Sequence, residues 1–405
     1  MQAMQGGERV AGTDEGPLSY RTVVAGLAFG QIISWAILYY AFSSFVLPMQ
    51  RELGWPKTTL MGAYTVGLLV LGLSNYAVGA AIDRGLGRRV MTLGSLLGAV
   101  ACMLWAVASQ PWMLYLALAL AGGAMAMTLY EPAFTLLTKR YPTRFREGIT
   151  TLTLVAGFAS TLSFPAAVAL VNTLGWRGAL WVLAALLGLV VAPLHAWLLR
   201  GPALVATPRQ HDGQLDATLH AALRQPAFWH LTNAFTLYAF AAAALWAHVM
   251  PAFESKGMSE AQAVAVVMWI GPAQVAGRLL YAWGGRGLRL HRVGLLVMLG
   301  LPLALLIFAL GASLAPLMLF AVLFGLVNGM VTIVRGGLVP EYFGRAHIGR
   351  IGGAMSAVAL IARAAAPVSV AWLLLLVPGY TAVMLLLAGL GLAAAVAFAL
   401  ARPPP

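Results

Sequence analysis

The stretch Gly79-Ala80-Ala81-Ile82-Asp83-Arg84-Gly85-Leu86-Gly87-Arg88-Arg89 sets four charges between two apolar runs, near 58–82 and 89–109. A helix that crosses a bilayer needs about 20 mainly apolar residues, and each run is long enough. The charged stretch therefore reads as a short loop at a membrane surface. Continuing in both directions, the same alternation gives twelve spans. They lie near 21–47, 58–82, 89–109, 112–138, 148–173, 177–199, 227–253, 261–284, 291–312, 316–340, 349–376 and 379–400. The breaks are short, as expected where backbone groups must be satisfied inside helices.

Composition agrees with this reading. The 405 residues are 61% hydrophobic and only 9% charged, against about 25% charged in a soluble domain. The formal net charge of +13 raises the question of nucleic acid, but the basic residues sit in the short breaks rather than on one face or tail, so no nucleic-acid partner is expected. The single cysteine, Cys102, excludes an intrachain disulfide. The polar stretch Met1–Pro17 lacks the basic region of a cleaved signal peptide, so the first span is expected to remain as an anchor.

Lysine and arginine set the expected orientation. With a cytoplasmic N-terminus, the inner loops hold Arg84, Arg88 and Arg89; Lys139, Arg140, Arg144 and Arg146; Arg200, Arg209 and Arg224; Arg286, Arg289 and Arg292; Arg345 and Arg350. The outer loops hold Arg51, Lys57, Arg177 and Lys256. The positive-inside rule then places both termini in the cytoplasm of a bacterial inner-membrane, multi-pass protein.

The chain is expected to be all-α, with twelve transmembrane helices in two six-helix pseudo-repeats. A polar tail (1–17) precedes a first bundle (18–200), a cytoplasmic linker (201–225) and a second bundle (226–401). Each half carries basic loops after its second and fourth spans. In each, the later loop holds a tyrosine followed by an arginine three residues on: Tyr141/Arg144 and Tyr342/Arg345. Internal repetition of this kind marks transporters whose site lies between the repeats, near the midplane.

Four charges lie inside the apolar spans: Arg278, Arg335, Arg363 and Glu131. A charge at membrane depth costs roughly 2.5–3.5 kcal/mol on insertion scales, so such residues face a watery cavity or a partner. Three cations against one anion suit an anionic passenger. Arg278 either contacts that passenger or snorkels to the nearer surface. Arg363, near the middle of the eleventh span, either faces the cavity or pairs with another helix. Glu131 and Arg335 occupy similar depths in the fourth and tenth spans and can pair across the cavity, as a structural bridge or as a gate opened by protonation. His248 is a second candidate for carrying a proton, set against a histidine satisfied at the interface; His230 and Asn233 are weaker. In the first span Gln31, Ser34, Tyr39, Tyr40 and Ser43 supply amide and hydroxyl groups; Gln31 and Ser34 share one face, and Tyr39 and Ser43, four apart, share another.

The stretch 79–89 resembles the loop signature of the major facilitator superfamily: a glycine, then an Asp-Arg pair, then Gly-Arg-Arg. Asp83, Arg84 and Arg88 fall in place, while Leu86 and Gly87 depart from the pattern. The resemblance covers essentially the whole chain and implies a conformational lock formed by Asp83, Arg84 and Arg88. The alternative is a plain topogenic loop. In the second half Gly285 stands where the aspartate is usual. Lys139-Arg140-Tyr141, with Arg144, Arg146 and Gly148, and then Gly175-Trp176-Arg177-Gly178, resemble the monocarboxylate-transporter branch, as does the short Leu53-Gly54-Trp55. That branch holds its substrate carboxylate with an arginine in the eighth span, a role the resemblance gives to Arg278. The aspartate one turn earlier in the mammalian members is Gln274 here, and the lysine late in their first span has no counterpart.

The expected function is secondary transport of a small, monocarboxylate-like anion by alternating access, coupled to protons, by a monomer in the bilayer. Arg278, Arg335, Arg363, Tyr39, Ser43 and Gln274 are the candidate substrate contacts; Glu131 and His248 are the candidate proton carriers. An exporter of amphipathic or toxic compounds is one rival. Gly148 and Gly157 have antiporter-like spacing, but Thr161 and Leu162 replace the Gly-Pro expected next. The 17 methionines raise a copper or soft-metal importer, yet their scattering reads as packing. A non-transporting membrane sensor is a third rival. No P-loop or catalytic motif is present, so no enzyme activity, cofactor or resident metal is expected.

Overall fold

A computed structural model describes residues 18–201, 210–211, 214–285 and 287–402. The polar tail 1–17, most of the linker with Arg209, and the loop residue Arg286 lie outside the described residues. The described residues form helices joined by short turns and loops, with a two-residue antiparallel pairing, Gln210–His211 with Gln214–Leu215, in the linker.

By length and composition, nine helices among the described residues can cross a membrane. Three local features account for the difference from twelve. The second and third predicted spans run on as one 49-residue helical stretch, Thr58–Ala106, bent at Gly85, whose φ of 84° favours a residue without Cβ. The fifth span is interrupted after Phe145–Ala156, and the helix that follows, Ala159–Ala185, turns into the sixth span at Gly175 (φ 69°). The eighth is divided into Glu260–Val267 and Ile270–Leu280.

The first helix begins at Tyr20, capped by the Ser19 side chain, which accepts from the Thr22 N–H. It passes through a π-helical turn at Trp35–Tyr40 before continuing to Leu53. The fourth helix breaks at Leu129, which is extended between Pro111–Thr128 and Tyr130–Arg140. Pro132 explains the break: it has no N–H for the Thr128 carbonyl four residues back, and its ring crowds that group. The buried Gln31 side chain fills the gap, its Nε2 donating to Thr128 O at 2.6 Å.

Buried apolar residues form separate clusters in the two halves. One involves 222–401, and two smaller ones lie within 20–199. Between the halves, the second helix packs on the eleventh, and the fifth packs on the eighth and tenth. The second and eleventh helices meet backbone to backbone at Gly79 and Gly349, where a Cβ on either would collide with the other's carbonyl.

Candidate functional site

The hydrogen bonds and ion pairs found between the halves lie between the end bearing the basic loops and the middle of the helices. Nearest that end, Asp83 is buried with Lys139 at 3.1 Å, their side chains 3% and 1% exposed. The carboxylate also accepts from the backbone N–H groups of Gly349 (3.1 Å) and Arg350 (2.9 Å). These belong to the first turn of Ile348–Leu373, where N–H groups lack helical partners and the helix dipole favours an anion. Lys139 in turn donates to Ala346 O at 2.9 Å. The contacts of Asp83 differ from those that the resemblance implies. Arg84 and Arg88 are exposed, with no partner found among the described residues, because Gly85 turns the chain just after Asp83. The cation that holds Asp83 is Lys139, from the other basic loop of the same half.

Two further ion pairs cross between the halves: Arg146 with Glu341, and Glu131 with Arg335. Arg335 also donates to Ser356 Oγ at 3.2 Å. Glu131 sits in the first turn after the Leu129 break, so the break is what presents this carboxylate to the tenth helix. With its charge taken by Glu131, Arg335 leaves the cationic surplus.

Arg278 is buried, 6% exposed, and spans three helices. Its Nε donates to Gly329 O (3.1 Å) on the tenth helix and its Nη1 to Thr153 O (2.8 Å) on the fifth. Gly157 makes room for it, since a Cβ there would strike the guanidinium; this gives Gly157 a packing reason independent of any antiporter-like spacing. No hydrogen bond to its Nη2 and no carboxylate partner is found among the described residues. Gln274, one turn earlier, is half-buried.

Arg363 is exposed, with no hydrogen bond or ion pair found among the described residues. It lies 15 residues past Ile348, or about 22 Å along the helix. The eleventh helix runs antiparallel along the second, with Gly349 against Gly79, Gly353 against Asn75 and Leu360 against Gly72, which sets Arg363 within about two helical turns of Tyr64. Arg363 of the second half and Tyr64 of the first therefore lie on two helices packed directly against each other.

The aromatic group that includes Tyr64 was missed by the sequence reading, apart from Tyr39 and Tyr40. Trp35 lies at its centre, with ring centroids 5.1 Å from Tyr39, 6.1 Å from Tyr40 and 4.8 Å from Tyr130. Tyr39 continues to Tyr64 at 6.4 Å, and the Tyr64 hydroxyl donates to Tyr39 O at 3.2 Å. The Ser43 hydroxyl, exposed, donates to Tyr40 O in its own helix at 2.9 Å.

His248 is some distance in chemistry from this group. Its Nε2 lies 3.0 Å from Pro367 O, a pure acceptor, so that nitrogen carries the proton. Its Nδ1 then accepts from the Tyr380 hydroxyl at 3.3 Å. Both nitrogens are satisfied within the second half. His230 is half-buried and Asn233 exposed. No cluster of three His, Cys, Asp or Glu side chains is found among the described residues.

The Gly-Trp-Arg-Gly stretch forms a clamp at the end opposite the basic loops. Trp176 Nε1 and Arg177 Nε donate to the two oxygens of Glu52, at 2.5 and 2.9 Å. Arg177 Nη1 also donates to the carbonyls of Ala106 and Ala108.

Residues 27–313 match the family model of the Major Facilitator Superfamily. The chain is 25% identical over 330 residues to monocarboxylate transporter 13 of Rattus norvegicus, covering 80% of this chain and 74% of that one. Its fold is similar to that of the human organic anion transporter MFSD10 (TETRAN), with a TM-score of 0.70 and 18% identity over 93% of this chain and 99% of that one. It is also similar to the E. coli fucose:proton symporter FucP, with a TM-score of 0.74 and 12% identity over 96% and 100% of the two chains, and to FucP in the outward conformation, with a TM-score of 0.72 and 12% identity over 95% and 100%.

Proposed function

The chain belongs to the Major Facilitator Superfamily, and from that membership we propose that it carries a small organic anion across the bacterial inner membrane by alternating access, coupled to protons. The observation that supports an anion is the pair Arg278 and Arg363. Both lie at membrane depth, and neither has a carboxylate partner among the described residues. A fork of N–H donors suits a carboxylate, and the fixed plane of Arg278 leaves its Nη2 available for one. The relatives named for monocarboxylate and organic-anion transport support the same class of passenger.

On the orientation expected from the basic loops, the ion pairs close the cytoplasmic side. The cavity then takes up its passenger from outside. Asp83, Lys139 and the start of the eleventh helix form the lock, Arg146–Glu341 reinforces it, and Glu131–Arg335 lies deeper, where it can sense the passenger. Protonation of Glu131 would release Arg335 and loosen the closed side, which couples proton binding to inward opening. His248, satisfied on both nitrogens, is left with a structural role. An inward-moving anion opposed by a negative interior needs this compensating charge.

Uptake of a labelled carboxylate by proteoliposomes, with and without an inward proton gradient, tests the reading. The wild-type protein is expected to accumulate the label only with the gradient. Glu131→Gln, which mimics the protonated group, is expected to equilibrate label or exchange it without responding to the gradient. Accumulation by this variant equal to that of the wild type would remove Glu131 from the coupling path. Saturable uptake of a neutral sugar or a drug with no carboxylate uptake would replace the proposal itself.

A further inference from the structure

Resting on the anion reading above, we infer that the passenger bears an aromatic ring: it is an aryl carboxylate, its charge on Arg278 and Arg363 and its ring among Trp35, Tyr39, Tyr40, Tyr64 and Tyr130. Those five side chains are all half-buried, so each retains surface that the protein itself does not cover. They come from the first, second and fourth helices and converge on Trp35 at centroid distances of 4.8 to 6.1 Å for Tyr130, Tyr39 and Tyr40. These spacings are those of edge-to-face and offset aromatic pairs, which another ring can extend. One face of Tyr64 is stacked on Phe42 and one of Tyr130 on Phe134; a short aliphatic acid would satisfy the arginines and leave the remaining ring surface unused.

Two orphaned groups point the same way. Trp35 Nε1 and the Tyr238 hydroxyl are buried without a hydrogen-bond partner among the described residues. An indole N–H can only donate, and an ionised carboxylate can only accept. An anion seated on Arg363, with its ring beside Trp35, brings acceptors to the region where donors lack them. The π-turn at Trp35–Tyr40 makes the arrangement possible: its extra residue per turn sets Trp35, Tyr39 and Tyr40 in mutual contact, and turns of this kind recur at functional sites.

Calorimetric titration of the purified full chain separates the ring from the charge. The probes are benzoate, cyclohexanecarboxylate, acetate and neutral benzyl alcohol. Benzoate is expected to bind about tenfold or more tightly than cyclohexanecarboxylate, which matches it in carbon count and charge. Tyr130→Leu should reduce that ratio to about twofold while leaving cyclohexanecarboxylate affinity nearly unchanged, and Tyr130→Phe should retain the ratio. Arg363→Ala should weaken both acids. Equal binding of the two acids, both dependent on Arg363, overturns the aromatic inference and leaves the anion reading standing. Benzyl alcohol binding as tightly as benzoate, unaffected by Arg363→Ala, overturns the anion reading. No binding of any of the three acids overturns both.

Discussion

Replacing Arg363 by alanine is expected to lower carboxylate uptake, measured as kcat/KM in proteoliposomes, by about a hundredfold or more, while leaving the melting temperature nearly unchanged. The first part follows from the size of charge-assisted contacts in dehydrated sites, where loss of one partner costs about 2–5 kcal/mol. A tenfold change in affinity corresponds to roughly 1.4 kcal/mol. The second part follows from the structure: Arg363 is exposed and makes no hydrogen bond or ion pair among the described residues, so the fold loses nothing with it. Arg363→Lys should recover part of the activity, since charge remains but the planar fork is lost. The contrast is Arg278→Ala, which also removes two bonds to backbone carbonyls of the fifth and tenth helices and should lower both uptake and melting temperature. Uptake by Arg363→Ala at the wild-type rate would show that the exposed arginine does not touch the passenger.

Removing the Asp83 carboxylate is expected to have the largest conformational effect. Asp83→Ala strands the Lys139 ammonium, 1% exposed, without its anion. Breaking one side of a buried ion pair costs about 3–5 kcal/mol. The same substitution deprives the first turn of the eleventh helix of its acceptor. The closed basic end should therefore give way to the alternative state. A cysteine at Thr135, buried on the fourth helix, can report this by its rate of thiol modification; the native Cys102 is buried and adds little background. The rate is expected to rise at least tenfold in Asp83→Ala, and to fall back part of the way when Lys139→Ala is added, because the stranded charge is then gone. The rates of Arg84→Ala and Arg88→Ala should match the parent. An unchanged rate in Asp83→Ala would mean that the cluster does not keep this end closed.

The spans were legible because apolar length and loop charge are local properties. Even the missing long helices trace to residues visible in the chain, Gly85 and Gly175 at the turns between spans. Partnerships were legible only where repeat symmetry set two residues at one depth, as with Glu131 and Arg335. Lys139 was not identifiable as the partner of Asp83, because that contact depends on how the second and fourth helices lie against each other. The aromatic group was missed for a different reason. Reading the first span at a uniform 3.6 residues per turn separates Gln31 and Ser34 from Tyr39 and Ser43. The π-turn at Trp35–Tyr40 breaks that period, and nothing in the local composition announces it. In the same way Gln31 is a polar residue of the first span, yet its amide is used to repair the backbone break that Pro132 causes in the fourth helix.

The solitary charge of Arg363 also makes the empty protein an electrical object distinct from the loaded one. In the proposed cycle the membrane field falls across whichever side of the molecule is closed. A fixed cation in the cavity thus moves through part of that field each time access switches, although it barely moves itself. One elementary charge crossing the full potential is worth about 2.3 kcal/mol per 100 mV. A singly charged anion balances one of the two unpaired cations, Arg278 and Arg363, and the voltage sensitivity of switching falls accordingly. Without it, an interior-negative membrane holds the cavity facing inward and delays its reset. Exchange of one passenger for another, which omits the empty return, then becomes the faster mode, and the membrane potential sets how much faster.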